Sequence, residues 1–234
     1  MVVLGLGVSG PVLAQTAMVN GALVLAESTE AQGSLPDYSG AVVWLEPTGD
    51  GNGRVGPTPG HFEILQEDKH FLPRVLPMPV GSSVDFPNLD PFFHNVFSLF
   101  EGKRFDLGLY EAGASRSTLF DRPGVSYIFC NIHPEMIAVV VAVPSDLFTQ
   151  TDTEGRYSIG DVPPGTYTLR VWHERMETRA GTTAVETVSV GRSDVEVSPV
   201  AMEATDLALE SHTNKFGLEY ESPATTGAPY LLPR

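Results

Sequence analysis

Apolar and polar residues alternate with a period of two through much of the chain. In Thr166-Tyr167-Thr168-Leu169-Arg170-Val171 the residues Tyr167, Leu169 and Val171 share one face, and Thr166, Thr168 and Arg170 share the other. That pattern predicts a half-buried strand. Gly40-Ala41-Val42-Val43-Trp44-Leu45 predicts a second strand, stopped by the turn-rich Pro47-Thr48-Gly49-Asp50-Gly51-Asn52-Gly53. Val188 and Val190 stand across Gly191-Arg192-Ser193-Asp194 from Val195 and Val197, which predicts a hairpin. No window carries a helical stripe. The expected class is all-β, built from sandwiches.

Two breaks in composition mark boundaries. Gly56-Pro57-Thr58-Pro59-Gly60 reads as a linker, and Val143-Pro144-Ser145-Asp146 follows the apolar run from Met136 to Val143. From about Glu203 the chain turns polar and Pro-containing, so 203–234 is expected to be an extended tail. The 23 Gly and 19 Pro suit short strands joined by turns. A net charge of −15 argues against direct nucleic-acid binding and favours basic partners. Residues 1–15 follow the apolar and cleavage pattern of a secretion signal, with Val12 and Ala14 at the small-residue positions; a first β-strand is the other reading. No later run is long and apolar enough to span a membrane. The expected location is the bacterial periplasm or cell envelope.

Cys130 is the single cysteine, so it forms no internal disulfide. It serves as a small buried hydrophobe, a reactive thiol or a metal ligand. In Cys130-Asn131-Ile132-His133-Pro134-Glu135-Met136 a thiol, an imidazole and a thioether lie within one short loop, and His94 upstream offers a second imidazole. Zinc sites commonly take Cys and His alone, whereas one Cys, two His and a weak Met form the set of an electron-transfer copper site. A catalytic Cys–His pair is the rival, but no hydrolase-like orienting residue is evident and Met136 would be idle. His61, His70, His173 and His212 read as ordinary surface or satisfied histidines. Asp50, Asn52, Asp152 and Glu154 lack the EF-hand spacing and read as turns.

The stretch Gly81-Ser82-Ser83-Val84-Asp85-Phe86-Pro87-Asn88, the pair His94-Asn95 and the approach from Pro123-Gly124 through Tyr127 to Cys130 resemble the cupredoxins, the plastocyanin- and amicyanin-like proteins among them. The ligand loop, with Pro134 after His133, resembles the short amicyanin-like form. The resemblance covers 60–143 and implies a Greek-key β-sandwich holding one type 1 copper ion through His94, Cys130, His133 and Met136. It further implies binding through Nδ1 of both histidines, Asn95 as the residue tying the ligand loops, and an exposed His133 edge in an apolar patch, for which Pro91 and Pro134 are candidates. Glu135 departs from the pattern by placing a carboxylate in the loop.

Thr151-Asp152, Gly155, Tyr157 and Ile159, then Pro164-Gly165, Tyr167 and Leu169, together with Ser39-Gly40-Ala41-Val42, resemble the carboxypeptidase-regulatory-like (transthyretin-like) β-sandwich. Its parts, 17–47 and 144–202, flank the copper segment, which implies a sandwich interrupted by the cupredoxin; consecutive domains are the alternative. The arrangement is similar to periplasmic plastocyanin-like proteins labelled as methylamine-utilisation proteins. The expectation is an exported blue-copper carrier of single electrons, not an enzyme, exchanging with a redox protein such as a c-type cytochrome or an oxidoreductase. The alternative is a copper-binding or copper-delivery protein without redox turnover.

Overall fold

The computed structural model describes residues 16–26, 39–48, 56–99, 102–174, 183–203 and 213–220. The signal-like segment 1–15, the turn at 49–53 and His212 lie outside them. All regular structure among the described residues is β. The chain forms two units, Met1–Arg54 with Leu147–Thr205 and Val55–Asp146 with Asp206–Arg234.

The first unit opens with β1 (Ala17–Ala26) and β2 (Val42–Pro47). The second contains β3 (His61–Glu63), β4 (Leu65–Glu67), β5 (His70–Leu72), β6 (Val75–Pro79), β7 (Ser83–Pro87), β8 (His94–Ser98), β9 (Phe105–Tyr110), β10 (Ser115–Leu119), β11 (Gly124–Phe129) and β12 (Ile137–Val143). The chain then returns to the first unit with β13 (Phe148–Gln150), β14 (Arg156–Val162), β15 (Gly165–Trp172), β16 (Thr183–Val190), β17 (Val195–Glu196) and β18 (Val200–Glu203).

In the first unit, β13-β2-β15-β16 form one sheet, and β1 pairs with β14, β17 and β18. The alternation in β15 does what its pattern predicts: Tyr167, Leu169 and Val171 are buried with Val43 and Leu45 of β2 and Val19 and Leu23 of β1. The hairpin expected around Gly191 does not form. β16 pairs antiparallel with β15, while β17 pairs in parallel with β1. Gly191–Asp194 therefore carries the chain from one sheet to the other. Val188, Val190 and Val197 still meet in one core. Parallel pairing to the far N-terminal strand satisfies the backbone of β17 as a hairpin would, and the Asp194 carboxylate pins it by accepting the Met18 N–H at 2.9 Å.

In the second unit, the sheets β6-β12-β11-β8-β9 and β10-β7-β3 enclose Val84, Phe86, Val96, Ile128, Ala138 and Val140. Cys130 and Met136 belong to this core. The sandwich thus fixes where the Cys130–Met136 loop starts and ends.

Candidate metal centre

β11 and β12 pair antiparallel up to Phe129 opposite Ile137, so Cys130–Met136 is the loop closing a hairpin. The loop is braced internally: the Cys130 N–H donates to the Met136 carbonyl at 3.2 Å, and the Met136 N–H donates to the His133 carbonyl at 3.2 Å. His94 opens β8, where a bulge between Asn95 and Phe97 interrupts the pairing with β9. Bulges re-aim side chains near functional sites. Here the irregularity follows directly after His94.

Cys130 Sγ lies 3.6 Å from His133 Nδ1 and 3.9 Å from His94 Nδ1, and the two Nδ1 atoms are 3.1 Å apart. The circle through three atoms so spaced has a radius of about 2.1 Å, within the roughly 2.0–2.3 Å of metal bonds to imidazole nitrogen and thiolate sulfur. His94, Cys130 and His133 are the one potential metal-holding cluster among the described residues. Cys130, His94 and Met136 are fully buried, while His133 is half-buried and Pro134 and Glu135 are exposed.

The electrostatics fit a cation. Burial pushes the Cys130 thiol up, opposed by the backbone N–H groups of Asn95, Ile132 and His133 and reinforced by the Glu135 charge. A metal ion held by Cys130, His94 and His133 would remove that penalty, because coordination deprotonates a thiol. Burial pushes His133 down, and its neighbour His94 adds to the effect, so its ring favours the neutral, lone-pair form. Phe92 packs against both rings, with centroids 5.2 Å from His94 and 5.7 Å from His133.

Asp90 was not foreseen from the sequence. Its Oδ2 accepts from His94 Nε2 at 2.7 Å in a buried contact. An N–H on Nε2 leaves the Nδ1 lone pair facing Cys130 and His133, the usual way a carboxylate sets the tautomer of a metal-binding histidine. The same carboxylate accepts the Asp68 N–H at 2.8 Å and the Lys69 N–H at 2.9 Å. Those two residues form the tight turn between β4 and β5 and both hold positive φ, 51° and 58°. Neither is glycine, so the turn is strained, and Asp90 offsets that strain. Burial works against ionising Asp90, but the hydrogen bonds from Lys69, His94 and Asp68 hold its carboxyl below the ordinary value. Asn88 completes the brace: its Oδ1 accepts the Asp90 N–H at 3.1 Å and its Nδ2 donates to the Phe92 carbonyl at 2.8 Å. The sequence signal was the Asn88-x-Asp90-Pro91 turn chemistry just before His94.

Asn95 is buried beside His94, and its side-chain NH2 donates to Asp106 Oδ1 at 2.8 Å. Pro91 and Phe93 are exposed on the His94 loop, as Pro134 is on the Cys130 loop. The remaining histidines have ordinary partners: His61 contacts Ser83 and Asp85, His70 the Asp68 carbonyl, and His173 the Ser39 carbonyl at 3.3 Å.

No family model and no curated protein matches the chain. Among solved structures, a purple cupredoxin from Nitrosopumilus maritimus is similar at 25% identity and TM-score 0.32, over 35% of this chain and 98% of that one. A copper-containing nitrite reductase from Thermus scotoductus SA-01 is similar at 24% identity and TM-score 0.35, over 43% of this chain and 26% of that one. A reduced amicyanin variant is similar at 20% identity and TM-score 0.34, over 37% of this chain and 85% of that one.

Proposed function

We propose that this chain is an exported type 1 copper protein that carries single electrons by outer-sphere transfer and is not itself an enzyme. The observation that carries the reading is the convergence of Cys130 Sγ with the Nδ1 atoms of His94 and His133; Met136 is buried and closes the same loop through backbone bonds with Cys130 and His133. When bound, copper supplies a one-electron couple. A thiolate and two imidazoles suit both of its oxidation states, and a weak thioether such as Met136 tunes the balance. The protein's part is to keep the donors still. Cys130 and His133 sit on a loop closed by paired strands, and His94 is locked by Asp90, so little rearranges as charge changes. The half-buried ring of His133, beside exposed Pro134, is the route for the electron.

We assign the first unit, with its carboxypeptidase-regulatory-like pattern, the role of scaffold or docking module. Export to the periplasm or cell envelope rests on the signal-like start, and no described helix is long and apolar enough to cross a membrane. The partner class is a basic redox protein such as a c-type cytochrome, because a chain at −15 attracts it over long range.

Stopped-flow oxidation of a reduced basic cytochrome across a salt series tests carrier against store. Transfer is expected to be fast at low ionic strength and to slow steeply as salt screens the attraction. Slow, salt-independent transfer with both basic and acidic partners would instead support copper binding or delivery.

A further inference from the structure

We propose that residues 213–220 are a clamp that positions the metal-ligand loop. Read from sequence, this stretch belongs to an extended tail; in the structure it is a turn seated on the centre. The Tyr220 hydroxyl donates to the carbonyl of Cys130 at 2.8 Å, and the Lys215 N–H donates to Asn131 Oδ1 at 3.0 Å. The Lys215 ammonium reaches Asp106 Oδ2 at 2.8 Å, while Asp106 Oδ1 accepts from Asn95, next to His94. One short segment thus holds the main chain of the thiolate ligand and, through Asp106, the neighbour of a histidine ligand.

The segment is shaped for this. Asn214 Oδ1 accepts the Phe216 N–H at 2.9 Å and the Leu218 N–H at 3.1 Å, and Asn214 N–H closes the turn on the Leu218 carbonyl at 2.9 Å. Gly217 takes the positive φ of 75° that the turn requires. Phe216 and Leu218 are 70% and 63% exposed, so their burial does not hold the segment. The polar contacts aimed at Cys130, Asn131 and Asp106 do. Burial raises the Tyr220 hydroxyl. Burial also opposes ionisation of Asp106, yet the hydrogen bonds of Lys215, Asn95 and Gly108 hold its carboxyl below the ordinary value.

Cys130 and Asn131 leave β11 where strand pairing ends. A hairpin loop is otherwise free to open locally, and an opened loop moves the thiolate relative to His94. Tyr220 and Lys215 are therefore positioning residues: they touch no metal and act through Cys130, Asn131 and Asp106.

The test uses the full chain with Tyr220→Phe, Lys215→Met, both together, and Leu218→Ser as a control on the same segment. The first readout is amide hydrogen exchange in the metal-free protein, which does not depend on the copper reading on which the second readout rests. Tyr220→Phe should speed exchange across 131–136 roughly two- to tenfold, the worth of one net hydrogen bond. The double variant should exceed tenfold, and exchange in β11 and β12 should stay unchanged. The second readout is copper(II): the double variant should shift the thiolate charge-transfer band and release the ion to a chelator about tenfold faster, unlike Leu218→Ser. Exchange at 131–136 within twofold of wild type in the double variant would overturn the clamp, as would faster exchange spread over the whole unit. A wild-type chain that takes up no copper yet shows the local exchange effect would sink the proposed function and leave the clamp standing.

Discussion

Cys130→Ser is expected to leave the protein folded and its copper(II) form colourless. The substitution keeps the size of a fully buried side chain in the core of the second unit, so its folding cost is limited to seating a hydroxyl there, about 1–3 kcal/mol. Copper held at this site would lose the one soft anionic donor of the cluster. Supporting residues of metal ligands are already worth roughly 10–100-fold in affinity, so removing the ligand itself should weaken copper binding by more than about 100-fold. Chelator competition and visible absorption on the same samples check both statements. A Cys130→Ser protein that stays coloured would show that the sulfur is not the ligand.

The second large effect is at Asp90. Asp90→Ala strips the acceptor from three donors at once: His94 Nε2 and the backbone N–H groups of Asp68 and Lys69. A hydrogen bond to a charged group is worth about 1.5–3 kcal/mol, so losing this acceptor should cost at least about that much, and the strained turn at Asp68 and Lys69 loses its brace as well. Asp90→Asn keeps one acceptor oxygen and should cost less, about 1–2 kcal/mol. Because the folded carboxyl lies below its ordinary value, the stabilisation is fully present above the unfolded carboxyl range near ~3.9 and is lost as pH falls through the folded value. The stability gap between wild type and Asp90→Ala should therefore be widest at neutral pH and shrink in acid, and copper affinity should fall about 10–100-fold. Denaturant unfolding at several pH values measures the first, and chelator competition the second. Equal stability of Asp90→Ala and wild type at neutral pH would mean that Asp90 does not hold the His94 loop.

What the sequence made legible was local. The alternation around Tyr167, Leu169 and Val171 reports a buried face directly, because the period of a strand is written in consecutive residues. Cys130 and His133, which the fold brings together, were legible for the same reason: both fall on one short loop. Pairing between distant strands, by contrast, is not written in consecutive residues. The partners of Val195 lie on β1, near the chain's other end, and a local pairing was the natural but wrong expectation. Asp90 reads as a turn former until the fold brings His94 and the β4–β5 turn onto its two oxygens. Tyr220 and Lys215 carry no apolar pattern, and their contacts reach back to Cys130 and Asp106 across most of the second unit's length. Hydrogen bonds between side chains and distant loops leave no periodicity to read.

The most direct measurement is a copper(II) titration of the metal-free protein followed by visible absorption and paramagnetic resonance. His94, Cys130 and His133 predict an intense thiolate-to-copper charge-transfer band that saturates at one ion per chain, bleaches on one-electron reduction and returns on reoxidation. A colourless copper(II) adduct, or colour that does not cycle, would contradict a blue-copper electron carrier.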